Sequence, residues 1–212
     1  MEINMTLELF FKIALFIIFF SFAYVISAYS KTAKTRDADK TARIKAHHAH
    51  EVPLLLKLRQ LFGIPFYLGL LLWTFAPATM AWSALALPVW ARWLGVGIGV
   101  FAVLLNVWSH RTLRQQLGDA FDPVLRLLEV PALVQSGPYA IVRHPIYLAF
   151  LLMQTSVLLL TANWFIGFCG LAIIISVIVI RVPEEEKLLI NQFGNEYHNY
   201  RQQTGGLLPK LR

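Results

Sequence analysis

The chain has 212 residues, of which 57% are hydrophobic and only 15% charged, and its mean hydropathy is +0.58. So little polar surface excludes an ordinary soluble domain and points to an integral membrane protein. The net charge of +7 does not read as a nucleic-acid surface, because the basic residues gather in segments flanking apolar runs, where anionic membrane lipids attract them.

A hydrocarbon layer roughly 30 Å thick is crossed by about 20 apolar residues in helix. Five segments qualify: Leu7–Tyr29, Leu61–Met80, Trp90–Trp108, Ile146–Leu160 and Asn163–Ile180. The prediction is an all-α integral membrane protein of about five transmembrane helices, forming one membrane domain over 1–212. Residues 1–108 hold three spans and a basic loop at 30–60. Residues 109–212 hold a helical hairpin at 146–180 and an amphipathic C-terminal helix at 183–203.

The first span is read as a membrane helix rather than a cleaved signal, since Glu2 and Glu8 stand where a basic leader belongs and the apolar run is too long. The Lys31–Arg59 segment after it carries eight Lys and Arg residues. The positive-inside rule makes that loop cytoplasmic. Between spans two and three no charge occurs before Arg92, whereas Arg111, Arg114, Arg126 and Arg143 lie between spans three and four. This alternation places the N-terminus outside and the C-terminus in the cytoplasm. Inside the basic loop, "HHAHE" offers His47, His48, His50 and Glu51 at spacings a metal could use, but no second ligand cluster closes a tetrahedral site, so a solvated linker is the simpler reading.

In the third span "LGVGIGV" has no preceding strand to make it a dinucleotide-binding turn. Gly95 and Gly99 form a small-xxx-small pair suited to close helix packing. The last two spans are separated only by "TAN", predicting a tight hairpin with Trp164 at the interface. The lone Cys169 lies in an apolar run, so no internal disulfide can form.

Polar chemistry concentrates at two places, both on the predicted cytoplasmic side. In "SGPYAIVRHPIYLAF" Gly137-Pro138 marks a turn and Pro145 suits the first turn of span four, which puts Arg143 and His144 just before a helix N-terminus. Unpaired N–H groups and a guanidinium there can grip a carboxylate or phosphate. Equally, Arg143 can snorkel to lipid phosphates while Tyr139 and Tyr147 join an interfacial belt. In "RVPEEEKLLINQFGNEYHNYRQQTGGLLP" Pro183 is expected to start a helix with three glutamates in its first turn. Helical phase places Glu186 at the centre, and Glu185 at the edge, of the face carrying Leu189, Phe193, Tyr197 and Tyr200, while Glu184 points away with Lys187. Carboxylates turned inward need a partner: Arg181, Arg143 or a ligand cation.

Taken together, "LVQSGPYAIVRHPIY", "RVPEEEKLL" and "FGNEYHNY" followed by "LLP", in that order around a two-span hairpin, resemble the isoprenylcysteine carboxyl methyltransferase family with its phospholipid N-methyltransferase and thiol methyltransferase relatives. The likeness runs from about Leu117 to Pro209. It implies S-adenosyl-L-methionine bound on the cytoplasmic side and a lipophilic methyl acceptor entering from the bilayer. Carried over position by position, it makes Pro131, Ala132, Leu133 and Val134 a backbone wall for the cofactor. Tyr139, Arg143, His144, Pro145, Ile146 and Tyr147 line the same pocket, Glu185 binds the cofactor and Arg181 the acceptor, so that Arg181 and Glu185 are the expected catalytic pair. The family often has His at Pro131, Gly at Ala149 and Arg at Gly206. The last departure leaves the acceptor open among an isoprenylcysteine carboxylate, a lipid-like acid, a thiol and an amine.

The reading is an integral membrane S-adenosylmethionine-dependent methyltransferase that needs no metal. The alternatives are an NADPH-dependent lipid reductase of the sterol-reductase type, which shares an Arg-His motif, and a non-enzymatic membrane scaffold.

Overall fold

The computed structural model describes residues 5–34, 53–118 and 131–210. The His47, His48, His50 and Glu51 cluster and most of the basic loop lie outside the described residues. Among the described residues six α-helices follow in chain order: α1 (Met5–Lys34), α2 (Pro53–Phe75), α3 (Val89–Leu117), α4 (Pro145–Thr161), α5 (Trp164–Phe193) and α6 (Asn195–Gln203), with 3-10 turns at Pro77–Ser83 and Gly137–Ala140. Among the described residues there is no strand beyond two isolated bridges, Ala84 to Asn163 and Val142 to Gly205.

Met5–Tyr29, Leu54–Phe75, Val89–Leu117 and Trp164–Phe193 are each long and apolar enough to cross a membrane, and α4 is a shorter apolar helix. The protein is a multi-pass membrane protein. Its outward surface carries large apolar side chains such as Ile17, Phe20, Ile64, Leu104 and Val179, while Phe11, Leu15, Phe66, Met153, Val157, Leu160 and Ile166 fill the interior. That distribution suits a bundle whose solvent is lipid, where backbone groups must be satisfied within each helix.

The second span differs from the expected Leu61–Met80, since α2 starts at Pro53 and stops at Phe75. The stop is set by Pro77, whose ring disfavours helical backbone at the preceding residue; Ala76 sits at φ −137° and ψ 58°. The chain then tightens into the 3-10 turn. At the other end Pro53 occupies a first-turn position where its missing N–H costs nothing.

The C-terminal region differs more. Pro183 does not begin a helix: α5 runs through it without a break from Trp164 to Phe193. A proline inside a membrane helix forfeits one backbone bond and clashes with the preceding turn, yet neighbouring groups in a bundle can absorb this. Glu184, Glu185 and Glu186 are therefore mid-helix residues, and the dipole of a new helix start does not explain them. The expected helix over 183–203 is instead interrupted at Gly194, whose φ of +51° lies in the left-handed region that side-chain-bearing residues rarely adopt.

The hairpin forms as expected. Ala162 turns the chain and Asn163 caps α5, its Oδ1 accepting from the Ile166 N–H at 3.1 Å. The Asn163 amide also donates to Ser83 Oγ at 2.7 Å, and Leu85 N–H donates to the Ala162 carbonyl at 2.7 Å. These bonds fix the α4–α5 turn to the 3-10 segment. Beside it, Trp164 packs edge-on against Trp82 at 5.4 Å between ring centroids.

Close packing of α3 against α4 depends on the glycine pair. A Cβ on Gly95 would stand 2.8 Å from Leu159 Cβ, and one on Gly99 would stand 2.5 Å from Ser156 Oγ on α4 and 2.9 Å from Ile18 on α1, whereas one on Gly97 would meet nothing within 4 Å. The gap is also used for a polar contact, since Ser156 Oγ donates to the Gly95 carbonyl at 2.7 Å. Near the hairpin end of the bundle Arg92, 1% exposed, donates to both oxygens of Glu8 on α1 and to the Leu160 carbonyl on α4, with Phe11 beneath it. Three helices are thereby pinned at that end.

Candidate active site

The opposite end is where α3 ends and α4 begins, and it gathers the second set of polar groups. His144 is the residue before α4, and Pro145 takes the first-turn position predicted for it. No side chain caps this helix, so first-turn N–H groups keep their donor capacity. Helix α5 extends beyond its apolar stretch to bring Arg181, Glu185 and Glu186 alongside. The segment after α6 then returns to the same place.

His144 stands between two carboxylates. Its Nε2 is 3.3 Å from Glu186 Oε1 and its Nδ1 is 3.8 Å from Glu185 Oε2. Tyr147, 2% exposed and one turn further along α4, donates its hydroxyl proton to Glu185 Oε1. Arg181 precedes Glu185 by one helical turn and is close enough to act electrostatically on both Tyr147 and Glu185. Glu185 thus lies between a phenol, an imidazole and a guanidinium.

Arg143 takes one of the partnerships left open by the sequence, with an inward-facing glutamate. Its Nε and Nη2 donate to Glu186 Oε1 at 3.0 and 2.8 Å, and its Nη1 donates to the Thr204 carbonyl. The side chain is 12% exposed. Every guanidinium nitrogen already has a protein acceptor, so this arginine holds the protein's own parts together. Arg201 Nε approaches the other Glu186 oxygen at 3.5 Å. Glu184 points away and pairs with Lys187 in the open at 2.8 Å, as helical phase required.

The tail is fastened by backbone bonds as well: Arg143 N–H donates to the Gly205 carbonyl at 2.8 Å and His144 N–H to the Gly206 carbonyl at 3.1 Å. Gly205 has no room for a side chain, since a Cβ there would collide with the Leu208 carbonyl. Tyr200 of α6 donates to the Tyr139 carbonyl at 2.6 Å. Burial pushes the Tyr139 phenol well above its ordinary range and raises Tyr197 to about 12. Both stay neutral and offer ring faces and hydroxyl groups rather than charge.

The structure brings together Tyr139, Arg143, His144, Pro145, Ile146, Tyr147, Arg181 and Glu185. Pro131, Ala132, Leu133 and Val134 lead into the Gly137–Ala140 turn, with Pro131 and Ala132 exposed and Leu133 half-buried. Val134 and Tyr139 are buried in one small cluster with Leu117. Two features escaped sequence reasoning: the double engagement of His144 and the docking of Thr204–Gly206. The first has no sequence signal, because it joins residues about forty positions apart. The second is hinted at by Gly205-Gly206, small residues that allow a close backbone approach. Among the described residues no cluster of His, Cys, Asp and Glu could hold a metal ion.

Residues 90–196, half of the chain and most of this site, match the phospholipid methyltransferase family. The chain belongs to that family. A methanethiol S-methyltransferase from a Pseudomonas species is 34% identical over 145 residues, covering 61% of this chain and 53% of the relative. The protein-S-isoprenylcysteine O-methyltransferase B of Arabidopsis thaliana is 25% identical over 120 residues, 56% of this chain and 61% of the relative. That of Saccharomyces cerevisiae is 28% identical over 120 residues, 53% and 48% respectively. The chain spans about half the length of the curated relatives it matches. A phospholipid methyltransferase family membrane protein implies a methyl donor, and the matches do not favour the reductase or scaffold readings.

Proposed function

We propose that the protein is an integral membrane methyltransferase that takes its methyl group from S-adenosylmethionine and passes it to a lipophilic acceptor. The observation that carries this reading is Glu185, a largely buried carboxylate held between Tyr147 and His144 one turn from Arg181. Bound there, S-adenosylmethionine supplies an electrophilic methyl group on a sulfonium. The donor set fits that molecule. Glu185 complements its cationic side, and the uncapped first turn of α4 with His144 complements its carboxylate. Tyr139 and Tyr147 offer ring faces to adenine or to the sulfonium, and Pro131–Val134 and Pro145–Ile146 close the wall.

Arg181 then has the acceptor to hold. An acceptor that arrives as a carboxylate or thiolate is oriented by the guanidinium and gives an electron pair to the methyl carbon as the sulfur–carbon bond breaks. Such an in-line displacement asks for alignment and exclusion of water rather than a proton relay. No described residue has to shuttle a proton when the acceptor is already an anion, whereas an amine acceptor would need a base to receive one.

The relatives act, by their names, on methanethiol or on an isoprenylcysteine, so sulfur and carboxylate oxygen are the two acceptor atoms to try first. The Lys and Arg distribution supports a cytoplasmic site with the N-terminus outside. Incubating the purified protein with labelled S-adenosylmethionine and fractionated membranes, then identifying the labelled product, tests the reading. Labelled lipid is expected; no transfer to any fraction, together with no binding of S-adenosylmethionine, would end it.

A further inference from the structure

We infer that Arg143 and Glu186 act as one positioning unit, which aims Glu185 and His144 into the site without touching the ligand; this rests on the methyltransferase reading above. All three guanidinium nitrogens of Arg143 donate to protein acceptors, and the side chain is only 12% exposed, so most of it is committed within the protein. Two of its nitrogens converge on Glu186 and the third holds the Thr204 carbonyl, while its own backbone N–H holds Gly205. One side chain thus ties the entry of α4, the polar end of α5 and the returning tail.

The reason such a tie matters lies in α5. Pro183 deprives the helix of one backbone bond immediately before the glutamates, and prolines are where helices bend. Successive residues on a helix are about 100° apart. Anchoring Glu186 therefore fixes the azimuth of the turn and turns Glu185 towards Tyr147. His144 is steadied from the same point, because Glu186 Oε1 accepts from Arg143 and also faces His144 Nε2. An ångström of misplacement at such a site can cost about a hundredfold in rate, and a carboxylate turned away from a ligand cation loses a charge-assisted contact, so a residue outside the pocket can also control affinity.

The test measures S-adenosylmethionine affinity by calorimetry, and thermal unfolding, for the wild type, Arg143→Gln, Glu186→Gln, Glu186→Asp and the Arg143→Gln/Glu186→Gln double variant in detergent. Each Gln variant is expected to bind about ten- to a hundredfold more weakly, the loss of one charge-assisted contact, and the double variant no more weakly than the worse single one, because coupled partners are not additive. Glu186→Asp keeps the charge but shortens the reach, so its affinity should fall severalfold while it still folds. Wild-type affinity in both Glu186 variants, with loss only in Arg143→Gln, would mean that Arg143 meets the ligand directly. A double variant whose loss is the product of the singles would show two independent roles, and lower melting with unchanged affinity would show a merely structural one. Each of these overturns the inference alone. Failure of the wild type to bind S-adenosylmethionine would instead remove the methyltransferase reading and the inference with it.

Discussion

Three adjacent glutamates, identical in charge, are placed by α5 in three environments, and replacing each with Gln separates them. Glu184 and its partner Lys187 are 48% and 68% exposed at the side chain. A surface pair of this kind contributes about 0.3–0.5 kcal/mol, so Glu184→Gln should be nearly silent. Glu185 accepts from the Tyr147 hydroxyl and, in the proposed site, faces a ligand cation. Losing one charge-assisted contact costs about 1.5–3 kcal/mol, which corresponds to a ten- to hundredfold loss of S-adenosylmethionine affinity at roughly 1.4 kcal/mol per tenfold. Glu186 balances Arg143, with both side chains still partly reached by solvent at 16% and 12%. Unpairing a fully buried charge costs about 3–5 kcal/mol; with that remaining solvent, about 2–3 kcal/mol of stability is the expected loss, accompanied by weaker binding. Cofactor titration and thermal unfolding of the three purified variants read all of this. If Glu184→Gln binds as poorly as Glu185→Gln, the assignment of separate environments is wrong.

Tyr147→Phe removes the hydroxyl that holds Glu185 but keeps the ring, so S-adenosylmethionine affinity should fall several- to tenfold while melting changes little; unchanged affinity would deny Glu185 its proposed place. Arg181→Ala should raise the acceptor's apparent KM and leave cofactor affinity within about twofold, and equal effects on both would remove its separate role. At the far end, Glu8→Gln leaves Arg92 with the Leu160 carbonyl but no counter-charge; because Glu8 is 39% exposed, the loss should be about 1–2 kcal/mol, below the cost of unpairing a fully buried charge, with S-adenosylmethionine affinity intact in the folded fraction, as calorimetry would show. Gly95→Ala and Gly99→Ala should each cost about 1–3 kcal/mol through overpacking, whereas Gly97→Ala, with nothing near its would-be Cβ, should melt like the wild type.

Much of the bundle was legible because lipid imposes a simple rule: apolar runs of sufficient length become helices. That rule found the starts of α1, α3, α4 and α5 closely, with Pro145 at the start of α4, but stopped short at Trp108 and Ile180 where α3 and α5 run on to Leu117 and Phe193. It misjudged α2, because hydropathy continues through "TFAPATM" while the backbone obeys Pro77. It misjudged Pro183 for the complementary reason, since a proline that starts helices in water can be carried inside one in a bundle. The phase of the glutamates nevertheless survived, because the same 100° advance per residue applies whether the helix begins at Pro183 or passes through it. The sequence left open whether Arg143 meets a ligand anion or an inward-facing glutamate. A guanidinium suits either, and only the folded chain reveals that Glu186 and the Thr204 carbonyl are there first.

The two Arg–Glu pairs sharpen that distinction. Arg92 with Glu8 and Arg143 with Glu186 are alike in geometry, each a guanidinium braced by a carboxylate and a backbone carbonyl. A buried ion pair alone is weak grounds for either stability or function, so the pair itself cannot say which end of the bundle does chemistry. The neighbours decide. Beneath Arg92 lies the ring of Phe11, which packs in turn against Trp93. Around Arg143 lie a second carboxylate, an imidazole, neutral phenols and a helix start that no side chain caps. Beside Arg143 and Glu186, the carboxylate of Glu185 stands with Tyr147, His144 and Arg181 at an uncapped helix start, and it is that cluster, rather than the ion pair, on which the proposal of a charged ligand rests.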